Sequence, residues 1–164
     1  MNGSFGRCDM ARWTVGKGID NYVKNLEELA YGSDEMVKRA VYEGAKIVTD
    51  AIRANINALP VGSPRDGKVT RKQKAGLLDG LGISKFRMDG SFLNVKVGMD
   101  GYNAETSKKH PKGQANAMIA RALESGSSFA TKHPFIGPAV NATKASAEEA
   151  IAKAFDKQCE QIMK

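Results

Sequence analysis

The chain has 164 residues, a net charge of +7 and an apolar content of 41%. This length predicts one domain able to bury about 70% of its unfolded surface, and the excess of basic residues allows contact with an anionic partner. Cys8 and Cys159 lie near opposite ends of the sequence, which argues against a disulfide framework or a zinc site and favours a reducing cytosol. No apolar run reaches the ~20 residues of a membrane span, and no signal peptide is indicated.

The N-terminal segment lacks hydrophobic periodicity. We expect residues 1–11 to be a disordered extension that precedes a single domain, residues 12–164. Because Met10 would make an ordinary start, residues 1–9 are either an upstream extension or a cloning remnant. Apolar residues at helical spacing then predict a helix over 19–30, which Gly32 is expected to end.

A long helix is predicted over 33–58. Ser33 is a favourable N-cap residue with acidic residues in the turn after it, and Pro60 cannot continue a helix. A helix of this length is not ordered alone, so its apolar stripe must pack on another element. Gly44, inside this helix, indicates either a close approach by that element or a tolerated defect.

The segment 61–75 is predicted to be a loop, because it has no apolar stripe and ends in a basic run. Loops of this length in a compact domain are usually functional or disordered. Two interpretations stay open here. The segment is a solvated mobile arm, or it contacts phosphate or a neighbouring subunit.

Residues 76–98 are predicted to form a β-hairpin around an Asp89-Gly90 turn, the dipeptide that type I′ turns prefer. This turn fixes the register and places a mostly apolar face on the helices. The residues of that face are Gly82, Ser84, Phe86, Met88, Ser91, Leu93, Val95 and Val97. The opposite face carries three basic side chains and should meet water, DNA or another subunit. They are Lys85, Arg87 and Lys96.

The C-terminal third is predicted to contain a polar loop over 100–114, a short helix over 115–124 and a last helix from Pro138 to about Met163. Gly126 is expected to supply a turn with positive φ. The short helix would bury Ala115, Met118, Ile119 and Leu123. The last helix would bury Val140, Ala147, Ile151, Ala154, Phe155 and Ile162. We therefore expect an α+β fold in which two long packed helices, N-terminal and C-terminal, cover a small antiparallel sheet built round a hairpin, with long mobile loops.

The sequence shows no pattern typical of catalysis. His110 and His133 are the only histidines, each stands before a proline, and neither has a carboxylate or nucleophile at an informative spacing. Glu124 is best interpreted as an acceptor for backbone N–H groups. The glycines between 76 and 82 lead into a strand, whereas a phosphate-binding loop leads into a helix. We therefore predict no enzyme activity, no catalytic or metal-ligating residues and no cofactor.

Two motifs in the last third carry a family resemblance. They are Glu124-Ser125-Gly126-Ser127 and Pro134-Phe135-Ile136-Gly137-Pro138-Ala139, followed by an amphipathic helix. The chain resembles, over about residues 19–163, the head–tail connector or tail-completion proteins, also called neck or minor tail proteins, of long-tailed bacteriophages and prophages. It departs from their pattern by the basic segment 61–75, inserted between Pro60 and Gly76-Leu77, and by Ser127 where threonine is usual.

This resemblance implies a non-enzymatic virion protein at the neck, between the capsid portal and the tail tube. Such proteins form or join a ring around the DNA channel in tail completion or head–tail joining. The partners would be copies of itself, with a monomer compatible with the isolated state, and other phage neck and tail proteins. The location would be the virion, and the host cytoplasm during assembly, with no membrane contact.

The resemblance also gives two sets of candidate residues. The candidates for subunit contact are Glu124, Gly126, Ser127, His133, Pro134 and Phe135. The basic candidates, facing the channel or solvent, are Lys85, Arg87, Lys96, Arg71, Lys72 and Lys74. The net charge of +7 and the two lysine-rich loops motivate the alternative, a non-specific DNA-binding protein of the host or phage cytoplasm. A small nuclease or hydrolase is a third hypothesis.

Overall fold

A computed structural model describes residues 17–63, 66–89, 92–106, 108–128 and 130–163, so the interpretation of residues 1–11 lies outside it. Two long helices, two short helices and four three-residue strands follow one another along these ranges. They are α1 Lys17–Ala58, α2 Arg71–Gly80, β1 Leu81–Ile83, β2 Arg87–Asp89, β3 Phe92–Asn94, β4 Val97–Met99, α3 Asn116–Ser125 and α4 Ile136–Ile162. This confirms the α+β class with long N-terminal and C-terminal helices and antiparallel pairing.

Helix α1 is continuous over 42 residues, a length of about 63 Å at the rise of an α-helix. The predicted break at Gly32 is wrong. Ser33 is not an N-cap, since its hydroxyl donates to the Ala30 carbonyl oxygen inside the helix, at 3.1 Å. One glycine costs a helix only about 1 kcal/mol, and good helix formers on both sides carry the helix through it.

The antiparallel contact between α1 and α4 organises the molecule. The Nδ2 amide of Asn55, near the end of α1, donates to the carbonyl oxygen of Phe135 at the start of α4, at 2.9 Å. Further back along α1, a Cβ on Gly44 would lie 2.5 Å from the Ile151 side chain and 3.1 Å from the Ala147 carbonyl oxygen. The close-approach interpretation of Gly44 is therefore confirmed.

The hydrophobic core lies around the C-terminal third of α1. Side chains from all four helices and from β1 meet there, and those of Ile56, Leu77 and Phe135 are fully buried. The core residues are Ile52, Ile56, Leu59, Val69, Leu77, Leu81, Ala120, Leu123, Phe135 and Ala139. Toward the other end of the helix pair, α1 packs against α4 alone. The buried residues there are Met36, Ala40 and Ala147.

The prediction of a loop over 61–75 is wrong from residue 71 onward, because helix α2 begins there. The prediction that a strand begins at residue 76 is also wrong, since α2 continues to residue 80. A capping box starts this helix. The Gln73 N–H donates to the Thr70 hydroxyl, and the Thr70 N–H donates to the Gln73 side chain, each at 3.1 Å. The Thr-x-x-Gln spacing was visible in the sequence, but the basic and glycine-rich composition around it suggested a loop.

The hairpin exists, but its register differs from the prediction. Arg87 pairs with Asn94 instead of Phe92, and Asp89, predicted in the turn, pairs with Phe92. A second ladder joins β1 to β4, where Gly82 pairs with Gly98. Between the two ladders, residues 84–86 lead from β1 to β2, whereas only residues 95 and 96 lead from β3 to β4. The longer side therefore carries one extra residue, a β-bulge.

Relative to the prediction, the face of β1 that meets the core is reversed, whereas Val97 of β4 packs on the core as expected; one extra residue on the β1 side accounts for this difference. Leu81 is buried, and Val97 and Met99 pack against the core, whereas Gly82 is exposed. Tyr42 from α1 stabilises the irregular stretch. Its hydroxyl accepts from the Phe86 N–H at 2.9 Å and donates to the Ser84 carbonyl oxygen at 3.2 Å.

The remaining elements follow the prediction with small shifts. Helix α3 begins and ends one residue later than expected, and α4 begins two residues earlier, with Pro138 in its first turn. Gly126 has a φ of +77°, which confirms the predicted positive-φ turn. Two predicted core residues are wrong, since Met118 is 46% exposed and Val140 is 41% exposed.

Candidate assembly surfaces

Glu124, in the last turn of α3, caps the start of α4. Its Oε2 accepts hydrogen bonds from the N–H groups of Phe135 and Ile136, both at 2.9 Å, and its Oε1 accepts from Gly137 N–H at 2.8 Å. The first N–H groups of a helix have no partner within it, and negative charge there favours the helix dipole. The interpretation of Glu124 as a backbone acceptor is confirmed.

The environment of Glu124 keeps its carboxyl ionised. Burial raises its pKa, but the N–H bonds from Ile136, Phe135 and Gly137 and the nearby charge of Lys132 together lower it further, to below the ordinary value of 4.5. A carboxyl with a lowered pKa is poorly placed to exchange protons near neutral pH. The group therefore has the properties of a structural cap.

The segment between α3 and α4, described at residues 126–128 and 130–134, is held at both ends. Near its start, the Ser127 N–H donates to the Ala130 carbonyl oxygen at 2.9 Å, and the Ala130 N–H donates back to the Ser127 hydroxyl at 3.0 Å. Near its end, the His133 N–H donates to the Leu123 carbonyl oxygen at 2.8 Å. Together with Glu124, these bonds fix the conformation of the segment.

His133 joins this segment to the loop after α1. Its Nε2 lies 2.9 Å from the Gly67 carbonyl oxygen. Gly67 has a φ of +69°, and a Cβ at this position would overlap the hydroxyl of Thr131. The two segments, residues 60–63 with 66–70 and residues 126–128 with 130–134, thus form one surface, which we call the loop platform.

Four of the six candidates for subunit contact lie in this platform, and Glu124 and Phe135 lie beside it, but the six are unequally exposed. Ser127 and Pro134 are exposed, and Glu124, Gly126 and His133 are half-buried. Phe135 is only 1% exposed, since its side chain lies in the core. In this structure Phe135 therefore supports the platform from beneath and offers no surface to a neighbour.

The basic candidates fall into three groups. Lys85 and Lys96 are exposed within the bulge, and Arg87 is exposed on β2. Arg71 and Lys72 are exposed in the first turn of α2.

Lys74 has a different role from the other basic candidates. Its Nζ donates to the carbonyl oxygens of Asn57 at 2.7 Å and Leu59 at 3.1 Å, so it caps the C-terminal end of α1. Basic side chains stabilise helix C-termini in this way.

A buried polar cluster, which the sequence did not reveal, organises the loop between β4 and α3. Asn116 and Asn103 are 2% and 3% exposed. The Nδ2 amide of Asn116 donates to the Asp100 carbonyl oxygen at 2.8 Å, and the Oδ1 of Asn103 accepts from the Glu105 N–H at 2.9 Å. Asparagine in a polar loop carries no signal of burial, because nothing in the local pattern shows that Asn116 would meet the Asp100 carbonyl sixteen residues away.

The described residues show neither a metal-binding cluster nor a helix suited to span a membrane. Within the described ranges, no three His, Cys, Asp or Glu side chains are grouped so that they could hold a metal ion. None of the helices over these residues combines the length and apolarity needed to cross a membrane.

A comparison with protein families gives one match. The family model described as "Bacteriophage HK97-gp10, putative tail-component" matches residues 20–126, which is more than half of the chain. Searches of curated proteins and of solved structures gave no match. The matched range runs from α1 to the turn at Gly126, so it includes Glu124 but neither the 134–139 motif nor α4.

Proposed function

The chain belongs to the HK97-gp10-like family of bacteriophage tail components, and on that basis we propose that it is a virion protein of the head–tail interface. It acts in tail completion or head–tail joining by forming or joining a ring around the DNA channel. It has no catalytic role. Its partners are further copies of itself and other phage neck and tail proteins, which it meets in the host cytoplasm during assembly.

The loop platform is the observation that carries this proposal. The polar groups that a binding or catalytic site could use, the Glu124 carboxylate and the His133 imidazole, are occupied by backbone groups. Their effect is to hold Ser127 and Pro134 at the surface in one conformation. A surface ordered in advance loses less conformational entropy on association, which favours a protein–protein contact.

The position of the platform supports ring formation. It lies where α1 ends and α4 begins, whereas the N-terminal end of α1 lies at the opposite end of the helix pair. A contact between two different surfaces of identical subunits is heterologous, and it gives a closed ring when the rotation closes. A subunit with binding surfaces at opposite ends meets this requirement.

The exposed basic hairpin residues suit the channel. In such a ring, Lys85, Arg87 and Lys96 face DNA, and their contact with phosphates is non-specific and weakens steeply with salt. The same residues, with Arg71 and Lys72, also motivate the second candidate, a DNA-binding protein that acts free in the cytoplasm. The two candidates differ in the partner that the isolated protein binds at physiological salt.

Complementation of a phage or prophage that lacks the gene tests the proposal. Loss of the protein should leave DNA-filled heads and unjoined or incomplete tails, visible by electron microscopy, and expression in trans should restore joined particles. Ser127→Arg on the platform should fail to restore them, whereas Ser146→Arg, an exposed position on α4, should succeed. Normal particles without the protein would refute the proposal.

Native mass spectrometry separates the two candidates. The purified protein is measured over a range of concentrations at about 150 mM salt, where the Debye length is about 8 Å, with and without short duplex DNA. Monomers or rings that are indifferent to DNA support the head–tail protein. Stoichiometric DNA complexes that persist at this salt support the cytoplasmic DNA binder and contradict the proposal.

A further inference from the structure

The ladder of β2 and β3 has little contact with the helices. Strands β1 and β4 pack on α1, and β4 also packs on α2 and α3, whereas β2 and β3 mainly contact each other. We call this outer ladder the hairpin arm. A two-stranded hairpin is marginally stable in water at best, so the direction of the arm depends on what holds its root.

The bulge between the two ladders is this root, and Tyr42 of α1 holds it. The half-buried side chain of Tyr42 bonds to the residues on both sides of Lys85. Its hydroxyl donates to the Ser84 carbonyl oxygen at 3.2 Å and accepts from the Phe86 N–H at 2.9 Å. A bulge disrupts the ladder locally. The hydroxyl therefore supplies hydrogen bonds at the point where the ladder is interrupted, and it joins the arm to the long helix.

A second hydroxyl ties the two sides of the bulge to each other. The Oγ of Ser84 accepts from the Lys96 N–H at 2.8 Å and donates to the Lys85 carbonyl oxygen at 3.1 Å. The Ser84 N–H donates to the Lys96 carbonyl oxygen at 2.7 Å. Together, Tyr42 and Ser84 fix the backbone that carries both lysines.

The fixed backbone carries exposed cations. Lys85 and Lys96 are exposed within the bulge, and Arg87 is exposed at the first position of β2. The ion pairs found among the described residues lie within α1 and α4, and none of them includes these three side chains. Cations grouped on one short stretch of backbone repel one another, and a polyanion such as DNA relieves this repulsion. Bulges next to functional sites commonly re-aim a side chain.

We propose that Tyr42 is a positioning residue for the DNA contact. Its hydroxyl sets the direction in which the hairpin arm presents Lys85, Arg87 and Lys96, and Tyr42 itself does not touch DNA. This role rests on the channel contact of the proposed function and names the residue of the helix body that orients it. Tyr42→Phe isolates the role, because it removes the hydroxyl and keeps the aromatic ring.

A distance measurement on the isolated protein tests the anchoring. Cys8 and Cys159 are replaced by serine, and spin labels are attached at Glu27→Cys and Arg87→Cys. Glu27 is exposed on α1, about 22 Å along the helix from Tyr42. Double electron–electron resonance should give one narrow distance distribution between α1 and the arm. Tyr42→Phe should lose this narrow distribution and give a broad one.

Thr49→Val is the matched control. Its hydroxyl is also buried on α1, but it donates only within the helix, to the Ala45 carbonyl oxygen at 2.8 Å. The distribution should stay narrow in this variant. Ser84→Ala is a second test variant that leaves Tyr42 in place, and it should broaden the distribution even if Tyr42→Phe does not fold. A narrow distribution in both test variants would overturn the anchoring.

DNA retention in assembled particles connects the anchoring to the cations. Tyr42→Phe should lower the fraction of DNA that particles retain, as should replacement of all three arm cations by Gln. Tyr42→Phe added to this triple variant should cause no further loss, because a residue that acts through the cations has no effect once they are gone. Thr49→Val should retain DNA as the wild type does. The arm cations are Lys85, Arg87 and Lys96.

The outcomes separate this role from the proposed function. A loss that is equally large with and without the three cations shows that Tyr42 acts only through stability, and it overturns the role. Normal retention in Tyr42→Phe, with impaired retention in the triple variant, also overturns the role but leaves the channel assignment standing. Normal retention in the triple variant refutes the channel assignment itself, and the role of Tyr42 in DNA contact with it. If the protein is absent from particles altogether, the proposed virion role fails instead.

Discussion

Two glycines in the same helix should respond in opposite ways to the same substitution. Gly44 lies where α1 meets α4, and an added Cβ would lie 2.5 Å from the Cγ1 and 2.7 Å from the Cδ1 of Ile151. At Gly32 an added Cβ would meet nothing within 4 Å. Because both residues are in α1, they share the intrinsic helix preference for alanine, and the difference between them isolates the packing.

The magnitudes follow from these two effects. Alanine stabilises a helix interior by about 0.8–1 kcal/mol relative to glycine, so Gly32→Ala should raise the free energy of unfolding by that amount. At Gly44 the same gain is opposed by overpacking, typically about 1–3 kcal/mol, because the Ala147 backbone oxygen at 3.1 Å limits how far Ile151 can move away. The net effect of Gly44→Ala should therefore lie between about zero and a destabilisation of about 2 kcal/mol.

Urea unfolding followed by far-ultraviolet circular dichroism measures both variants at low protein concentration. The double substitution Gly44→Ala/Ile151→Val removes a methyl group at the contact and should recover part of the lost stability. If Gly44→Ala were as stabilising as Gly32→Ala, the close contact between α1 and α4 at this position would be refuted.

Three further predictions concern side chains at the helix ends and on the hairpin. Glu124→Gln should cost about 1–2 kcal/mol at neutral pH as a lost helix cap, whereas Glu149→Gln, an exposed ion-pair partner, should have no measurable effect. Because the folded-state pKa of Glu124 lies below its ordinary 4.5, this stabilisation is complete above that value and is lost as pH falls through the lower folded pKa, so urea midpoints of wild type and Glu124→Gln should converge below about pH 4.5. Lys74→Met should lower stability by about 1 kcal/mol through the uncapped end of α1, and Lys72→Met should not. In the proposed ring, simultaneous replacement of three hairpin residues by Gln should leave the fold intact, impair DNA retention in particles and reduce the salt slope of any DNA binding by about 2.7; unchanged retention would contradict the channel assignment. These residues are Lys85, Arg87 and Lys96.

The sequence predicted the long helices well because their signals are local and repeated. Periodic apolar residues and Pro60 gave the end of α1, and Gly126 gave the turn after α3. The break at Gly32 failed because a favourable N-cap residue at position 33 is only a local preference. The surrounding sequence favours helix on both sides, and one glycine does not outweigh it.

The sheet register could not be read correctly from the sequence. A preferred turn dipeptide at Asp89-Gly90 predicted one uniform hairpin, but the observed ladders differ by one residue through a bulge. The group that stabilises this bulge is the hydroxyl of Tyr42, which is more than forty residues away in sequence. Long-range hydrogen bonds of this kind leave no trace in the local pattern, although they stabilise the bulge that changes which face of β1 meets the core.

The candidate residues near the last helix were located more accurately than their roles were understood. The sequence brought residues 124 to 135 together as a site, and the structure places them together. The different roles of these residues became visible only in the structure. Phe135 is buried in the core, whereas Ser127 and Pro134 are exposed at the surface. A carboxylate that binds three backbone N–H groups looks the same in sequence as one that binds a partner.

Charged side chains stabilise the ends of the two long helices in this protein, which contains little β-sheet. Glu124 from α3 caps the start of α4, and Lys74 from α2 caps the end of α1. Each long helix is thus capped at one end by a side chain from a short helix. These bonds hold the platform end of the helix pair, where the core is also concentrated. Among the described residues, the opposite end of the pair is formed by α1 and α4 around Met36, Ala40 and Ala147, and α1 continues past it with Tyr22, Val23 and Leu26 exposed. A subunit whose two ends differ in this way is suited to the heterologous contacts of a ring.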